Sequence, residues 1–190
     1  QFMQQQGINK ANLIGHSMGG KTVMEFALQH PIYVNKLVVV DIAPAEYDDG
    51  HSKIFQALFA ANVQQATTRE EVSAVLHQKL GNDETTIGFL MKGLARNENG
   101  QHFEWKFNLE SLWENYDKIS ASIDSSKPFT GQTLFIKGEK SAYINGANYA
   151  GIERLFPKNE LTEIPGSGHW VHADKPQQFL AVVTYFLQKA

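Results

Sequence analysis

A serine stands between two glycines near the start of the chain, in the order Gly15, x, Ser17, x, Gly19. A short apolar run precedes it and a helical pattern follows it. This is the arrangement of a nucleophile elbow, a tight turn that lifts a hydroxyl out of a β-sheet so that it can attack a carbonyl carbon. We expect glycine at both flanking positions because a Cβ there would collide with neighbouring backbone. The pattern predicts Ser17 as a nucleophile and the backbone N–H of Met18 as a donor to the oxyanion.

A histidine that could activate this serine lies near the other end of the chain. His169 follows Gly168 in a loop between a strand pattern and the closing helix pattern, and it comes after the serine, as the chain order of such a site requires. We predict it to be the general base. Its neighbour Trp170 is a candidate substrate-binding residue, although filling the core is an open alternative. His172 has a spacing to His169 that metals can use, but no further ligands cluster with the pair, so we expect neither metal nor cofactor.

Strand-length apolar runs and helical patterns surround these residues. The valine-rich run at 37–42 suits a strand buried on both faces of a parallel sheet. Asp41 lies near the carboxyl end of this run, where active-site residues of open α/β sheets gather. The alternation predicts an α/β fold with a mostly parallel sheet and flanking helices. The strand patterns cover 11–14, 37–42, 132–138 and 161–164, and the helical ones cover 21–29, 145–156 and the stretch from 176 onwards.

Between the strand at 37–42 and the strand at 132–138 the sequence pattern is mainly helical. A capping box at Thr68–Glu71 opens one helix, further helical patterns cover 52–65, 83–96 and 109–119, and a short extended piece lies near 103–107. We predict that 45–131 is an inserted helical lid. Its aromatic residues could line an acyl tunnel, but their helical spacing favours packing inside the lid. They are Phe55, Phe59, Phe89 and Trp113.

Composition excludes several classes of function. The 190 residues carry a net charge of -3 with no block of like charge, so we expect no nucleic-acid partner and no membrane-binding patch. No run reaches the roughly 18 apolar residues of a spanning helix, and the absence of cysteine excludes disulfides, thiolate metal sites and a cysteine nucleophile. We expect a soluble, cytoplasmic protein, with an upstream targeting segment and the oligomeric state left open.

Four motifs together carry a resemblance. They are Gly-His-Ser-Met-Gly-Gly-Lys at 15–21, Val-Asp-Ile-Ala-Pro at 40–44, Phe-Asn-Leu at 107–109 and Gly-His-Trp-Val-His-Ala-Asp-Lys-Pro at 168–176. With them the chain resembles the α/β-hydrolase superfamily, and within it the YbfF-type bacterial esterases and the animal abhydrolase domain-containing 11 proteins. The resemblance implies a cofactor-free serine hydrolase acting on small-molecule esters or acyl thioesters. Its core would comprise 1–44 and 132–190, with the lid at 45–131.

The acid of the catalytic triad departs from the commoner pattern of this fold. Many members carry it in the loop after the strand at 132–138, where this chain has Ser141 in the expected position. Asp41 at the end of the preceding strand is the natural substitute. The Val-Asp-Ile-Ala-Pro motif around it resembles that of the YbfF-type esterases and the abhydrolase domain-containing 11 proteins. We predict Asp41 as the acid and Glu139 as the fallback, while a role for Asp41 in capping a turn stays open.

Members of the superfamily carry several strands before the elbow, including a loop that donates a second oxyanion N–H. We expect this chain to be the C-terminal portion of the fold, with that donor upstream of Gln1. Two alternatives stay open. One is a carbon–carbon bond hydrolase that uses the same triad, and the other is a non-catalytic, hydrolase-like binding module.

Overall fold

The computed structural model describes residues 1–47 and 51–189. The chain divides into two compact units, of which the first comprises Gln1–Glu46 with Ala121–Ala190 and the second comprises Tyr47–Ser120. The predicted lid, 45–131, includes residues 48–50, which lie outside the described residues. The role of the second unit as a lid stays a prediction.

Helices and strands alternate in the first unit, and helices dominate the second. In chain order the elements are α1 (Phe2–Gln5), β1 (Ala11–His16), α2 (Met18–Gln29), β2 (Val34–Val40), α3 (Ser52–Ala60), α4 (Arg69–Leu80), α5 (Glu84–Lys92), β3 (Leu94–Arg96), β4 (Phe103–Trp105), α6 (Leu109–Glu114), α7 (Tyr116–Ser120), β5 (Gln132–Gly138), α8 (Tyr149–Leu155), β6 (Asn159–Ile164), α9 (Val171–Asp174) and α10 (Pro176–Gln188). Short 3-10 turns lie at Pro31–Tyr33 and Gly146–Asn148. None of the helices in the described part of the chain has the length and apolar composition needed to cross a membrane.

A parallel sheet is the framework of the first unit. Within the described residues it has four strands in the order β1-β2-β5-β6, and each neighbouring pair is parallel. Strand β2 is central and apolar on both faces: Val38 and Val40 pack with Val183 and Phe186 of α10, while Val39 lies toward Gly20 of α2 on the other face. The predicted α/β fold with a mostly parallel sheet and flanking helices is confirmed.

The second unit has its own apolar core beneath α3, α4 and α5. Three predicted helices of this unit differ from expectation. The pattern at 52–65 is helical only as far as Ala60, and the pattern at 109–119 forms two helices, α6 and α7, separated at Asn115. In the third, α5 ends at Lys92 rather than at Arg96. The next residues form β3, which pairs antiparallel with β4 across a turn in which the Asn97 N–H donates to the His102 carbonyl at 3.0 Å. The apolar Leu94 also fits a helical period, but it pairs with Trp105 of β4 instead. The buried core residues include Leu58, Val72, Leu76, Ile87, Leu90 and Phe103.

Three of the four aromatic side chains expected to pack inside this unit are more exposed than predicted. Phe55 packs as a partly buried residue against the core. Phe59, Phe89 and Trp113 are 43%, 53% and 45% exposed. The expectation that all four pack inside the unit is therefore wrong for these three.

Candidate active site

A strained turn holds Ser17 between β1 and α2. Its φ is 55° and its ψ is -123°, a conformation that costs a residue with a side chain about 1–3 kcal/mol. The Ser17 N–H donates to the Val40 carbonyl of β2 at 3.0 Å, and its carbonyl accepts from the Lys21 N–H at 3.1 Å, the first bond of the helix. The predicted nucleophile therefore lies on a strand-to-helix turn tied to the neighbouring strand.

The glycines of this turn differ in whether the surrounding structure leaves room for a Cβ atom. A Cβ on Gly15 would lie 2.2 Å from the Gly19 carbonyl oxygen, and a Cβ on Gly20 would lie 2.4 Å from Cγ2 of Ile42. A Cβ on Gly19 would meet nothing within 4 Å outside its own helical turn. The expectation of a collision is thus right for Gly15 and wrong for Gly19, because the close approach to Ile42, two residues past the end of β2, falls at Gly20.

We expect Gly15→Ala to lower the free energy of unfolding by about 3 kcal/mol or more, since the added methyl meets backbone that cannot move without disrupting the elbow. Gly19→Ala is the matched control, and its stability should stay close to that of the unchanged protein. Chemical denaturation of the two variants measures the difference. Equal stabilities would contradict the close approach of Gly15 to the helix.

Asp41 lies directly after β2, fully buried and with φ at 52°. Its carboxylate accepts hydrogen bonds from three donors. The Gly138 N–H donates to Oδ1 at 2.9 Å, the Ser141 hydroxyl donates to Oδ2, and the His169 Nδ1–H donates to Oδ2 at 2.8 Å. Because Nδ1 carries the hydrogen in this pair, Nε2 of the neutral imidazole is the acceptor. That is the tautomer of a general base.

The loop that carries His169 is fixed at several points between β6 and α9. The Gly168 N–H donates to the Asp174 carboxylate at 2.7 Å, and a Cβ on Gly138 would lie 2.1 Å from the Gly168 carbonyl oxygen. Glu139, the fallback acid, accepts from the Gly166 N–H at 2.6 Å. The structure therefore gives Glu139 a hydrogen bond to the loop backbone and gives Asp41 the hydrogen bond to the imidazole.

Sequence reasoning missed the part that Ser141 takes in this network. Its hydroxyl donates to the Asp41 carboxylate and accepts from the Tyr143 N–H at 3.3 Å. The signal in the sequence was a hydroxyl at the position where a carboxylate was expected. A hydroxyl there can donate to an aspartate on the neighbouring strand, which a second ionised carboxylate could not do.

His16 joins the elbow to the histidine loop. Its Nε2–H donates to the His169 carbonyl oxygen at 2.8 Å, and the centroids of the two rings lie 4.6 Å apart. Burial lowers the pKa of His16 to about 4, against a weaker raising effect of its bond to the His169 carbonyl. His16 is therefore neutral at pH 7 and places no second positive charge beside the His169 ring.

The remaining predicted residues lie around these groups. The Trp170 ring centroid is 5.7 Å from that of His169 and 5.2 Å from that of His16. Met18 is the first residue of α2, so its N–H has no acceptor within the helix and lies at the positive end of the helix dipole. Substrate binding by Trp170 and oxyanion binding by Met18 stay predictions. Among residues 1–47 and 51–189, no group of three or more histidines and carboxylates is placed to hold a metal ion.

Known proteins resemble this chain over most of its length. The family model described as "alpha/beta hydrolase fold" matches residues 1–176. The sn-1-specific diacylglycerol lipase ABHD11 of Mus musculus is 38% identical over 98% of the chain, and esterase YbfF of Escherichia coli is 37% identical over 96%. The chain spans 62% and 69% of those two proteins. A solved structure titled "Marine microorganism esterase" superposes with a TM-score of 0.92 at 38% identity, over 97% of this chain and 73% of that one.

Proposed function

The chain belongs to the α/β-hydrolase family, and from that premise we propose that it is a serine hydrolase that cleaves carboxylic esters or acyl thioesters through an acyl-enzyme on Ser17. The observation that carries the proposal is the hydrogen bond of 2.8 Å between His169 Nδ1 and the buried Asp41 carboxylate. His16 and Val40 are register partners on neighbouring parallel strands. Ser17 and Asp41, the next residues along, therefore leave the sheet at the same edge.

The chemistry follows from the roles of these groups. His169 Nε2 takes the proton of the Ser17 hydroxyl as the oxygen attacks the carbonyl carbon, and the Met18 N–H donates to the oxyanion that forms. Collapse of this intermediate breaks the bond to the alcohol or thiol, which leaves with the proton from the imidazolium. Water then attacks the acyl-enzyme by the same steps, releases the acid and restores Ser17.

Asp41 supports both halves of the reaction. Its carboxylate keeps the hydrogen of the neutral imidazole on Nδ1 and stabilises the imidazolium once Nε2 is protonated. The Gly138 N–H and the Ser141 hydroxyl hold that carboxylate in place. Burying a carboxylate is costly, and the three donors to Asp41 offset that cost.

The relatives support an ester as the substrate, since they are named as an esterase, a diacylglycerol lipase and a second esterase. A thioester is included because the same steps release a thiol in place of an alcohol. Within this proposal the helical unit Tyr47–Ser120 is the candidate lid. The substrate is a small molecule and the triad needs no cofactor.

We expect a p-nitrophenyl ester to give a rapid release of about one p-nitrophenol per chain when acyl transfer is faster than hydrolysis of the acyl-enzyme. An acid quench during this phase should leave the acyl mass on the peptide that contains Ser17. An acyl-thioester substrate, followed by thiol release, measures the preference between the two leaving groups. The protein as its gene encodes it is the form to use.

Two outcomes would contradict the proposal. An acyl group found on another residue would remove Ser17 from its assigned role. Absence of turnover with esters and thioesters of several chain lengths would favour the non-catalytic binding module instead.

A further inference from the structure

The imidazole of His169 lies against the ring of Tyr143. The ring centroids are 4.3 Å apart and the planes are inclined by 31°, a close, tilted contact. Among the ring contacts of His169 within the described residues, that with Tyr143 is closer and more nearly parallel than those with His16 and Trp170. His16 lies at 4.6 Å and 42°, and Trp170 lies at 5.7 Å and 69°. The Tyr143 ring therefore presents its face to the imidazole.

The backbone fixes this tyrosine from both sides. Its N–H donates to the Ser141 hydroxyl at 3.3 Å, the same hydroxyl that donates to Asp41. The next residue, Ile144, is fully buried. Tyr143 is thus joined through Ser141 to the carboxylate that binds His169, and the same loop holds its ring against the imidazole.

We propose that Tyr143 is a positioning residue that restrains the His169 imidazole and stabilises its positive charge during acyl transfer. The inference rests on the proposed function, in which His169 is charged only after it takes the Ser17 proton. An aromatic face attracts a cation, most strongly where water is displaced, and the His169 side chain is only 21% exposed. The attraction exists in the transition state and not in the neutral enzyme, so it lowers the barrier without tightening substrate binding.

The ring, and not the hydroxyl, is the part of Tyr143 that this role requires. A phenol is neutral at pH 7, and burial raises the pKa of the Tyr143 hydroxyl further above its ordinary value. The face of the ring therefore keeps its ordinary quadrupole. Tyr143→Phe should therefore keep kcat within about twofold. Tyr143→Leu, which fills similar space without a ring face, should lower kcat about tenfold with KM unchanged.

Two further variants separate this role from a loss of folding. Tyr149→Leu makes the same change at a tyrosine that is 42% exposed and should keep the kcat of the unchanged protein. Pentafluorophenylalanine in place of Tyr143 keeps the shape of the ring but reverses its quadrupole, so it should lower kcat below that of Tyr143→Phe. In NMR spectra, the ring protons of His169 should show an upfield shift in the unchanged protein and in Tyr143→Phe, and should lose it in Tyr143→Leu.

These experiments distinguish failure of the Tyr143 inference from failure of the proposed function. If the unchanged protein turns over esters while a folded Tyr143→Leu has the same kcat, this inference is overturned and the proposed function stands. If the pentafluorophenylalanine variant matches Tyr143→Phe, the stabilisation of charge is refuted. If the unchanged protein forms no acyl-enzyme on Ser17, the proposed function fails, and with it the basis of the inference.

Discussion

Replacing Asp41 with asparagine should lower kcat about 10⁴-fold while the fold and KM stay nearly unchanged. The Asp41 carboxylate accepts from the His169 Nδ1–H at 2.8 Å and also from Gly138 and Ser141. An amide that turns its NH₂ toward Nδ1 requires Nδ1 to be the acceptor, which moves the hydrogen to Nε2. An imidazole in that tautomer cannot take the Ser17 proton. Steady-state kinetics with a p-nitrophenyl ester, with circular dichroism to confirm folding, measure the effect.

The matched control is Glu139→Gln, which removes the fallback carboxylate. Glu139 accepts from the Gly166 N–H, and a glutamine oxygen can keep that bond, so kcat should change by less than about tenfold. The account would be contradicted if Asp41→Asn stayed active while Glu139→Gln lost activity. The acid would then belong to the loop after β5.

Replacing Ser17 with alanine should lower kcat about 10⁶-fold, the size of loss expected when the nucleophile of a triad is removed. Alanine accepts the same backbone conformation as serine at φ 55°, so the elbow and the stability of the protein should be retained. Only the attacking oxygen is lost. The residual rate then measures what the oxyanion donors and substrate binding contribute without covalent chemistry.

Ser122→Ala is the control for this variant, since Ser122 is exposed and lies outside the predicted site. It should keep the kcat of the unchanged protein. A Ser17→Ala variant with kcat within about tenfold of the unchanged protein would show that the reaction does not pass through Ser17.

The sequence was most informative where chemistry depends on local spacing. The glycine-flanked serine placed the elbow between a strand and a helix, and the valine-rich run placed Asp41 at the carboxyl end of a buried strand. The structure brings Asp41 and His169 into a hydrogen bond across 128 positions of the chain, the geometry expected for an acid and its base. Their catalytic roles stay predictions. The parallel sheet followed from apolar runs of strand length, and the strand at Gln132–Gly138 has the bounds that the pattern predicts.

Features that depend on contacts between distant segments could not be predicted. A side chain is excluded at Gly20 rather than at Gly19 because Ile42, two residues past the end of β2, approaches Gly20. Leu94 fits the helical spacing of the residues before it, but it lies in β3, where it pairs with Trp105 of β4. Tyr143 reaches His169 only through the path of a loop whose conformation no local pattern specifies. In each case the structure of a residue depends on a contact with another segment, and no local sequence pattern indicates that contact.

Mass spectrometry of the protein treated with a fluorophosphonate tests the central claim most directly, because only a serine activated by a base reacts quickly with such a probe. We predict a single adduct on the peptide that contains Ser17, and no adduct in Ser17→Ala under the same conditions. An adduct on a different residue of the unchanged protein, or undiminished labelling of Ser17→Ala, would contradict the assignment of Ser17 as the nucleophile activated by His169 and Asp41.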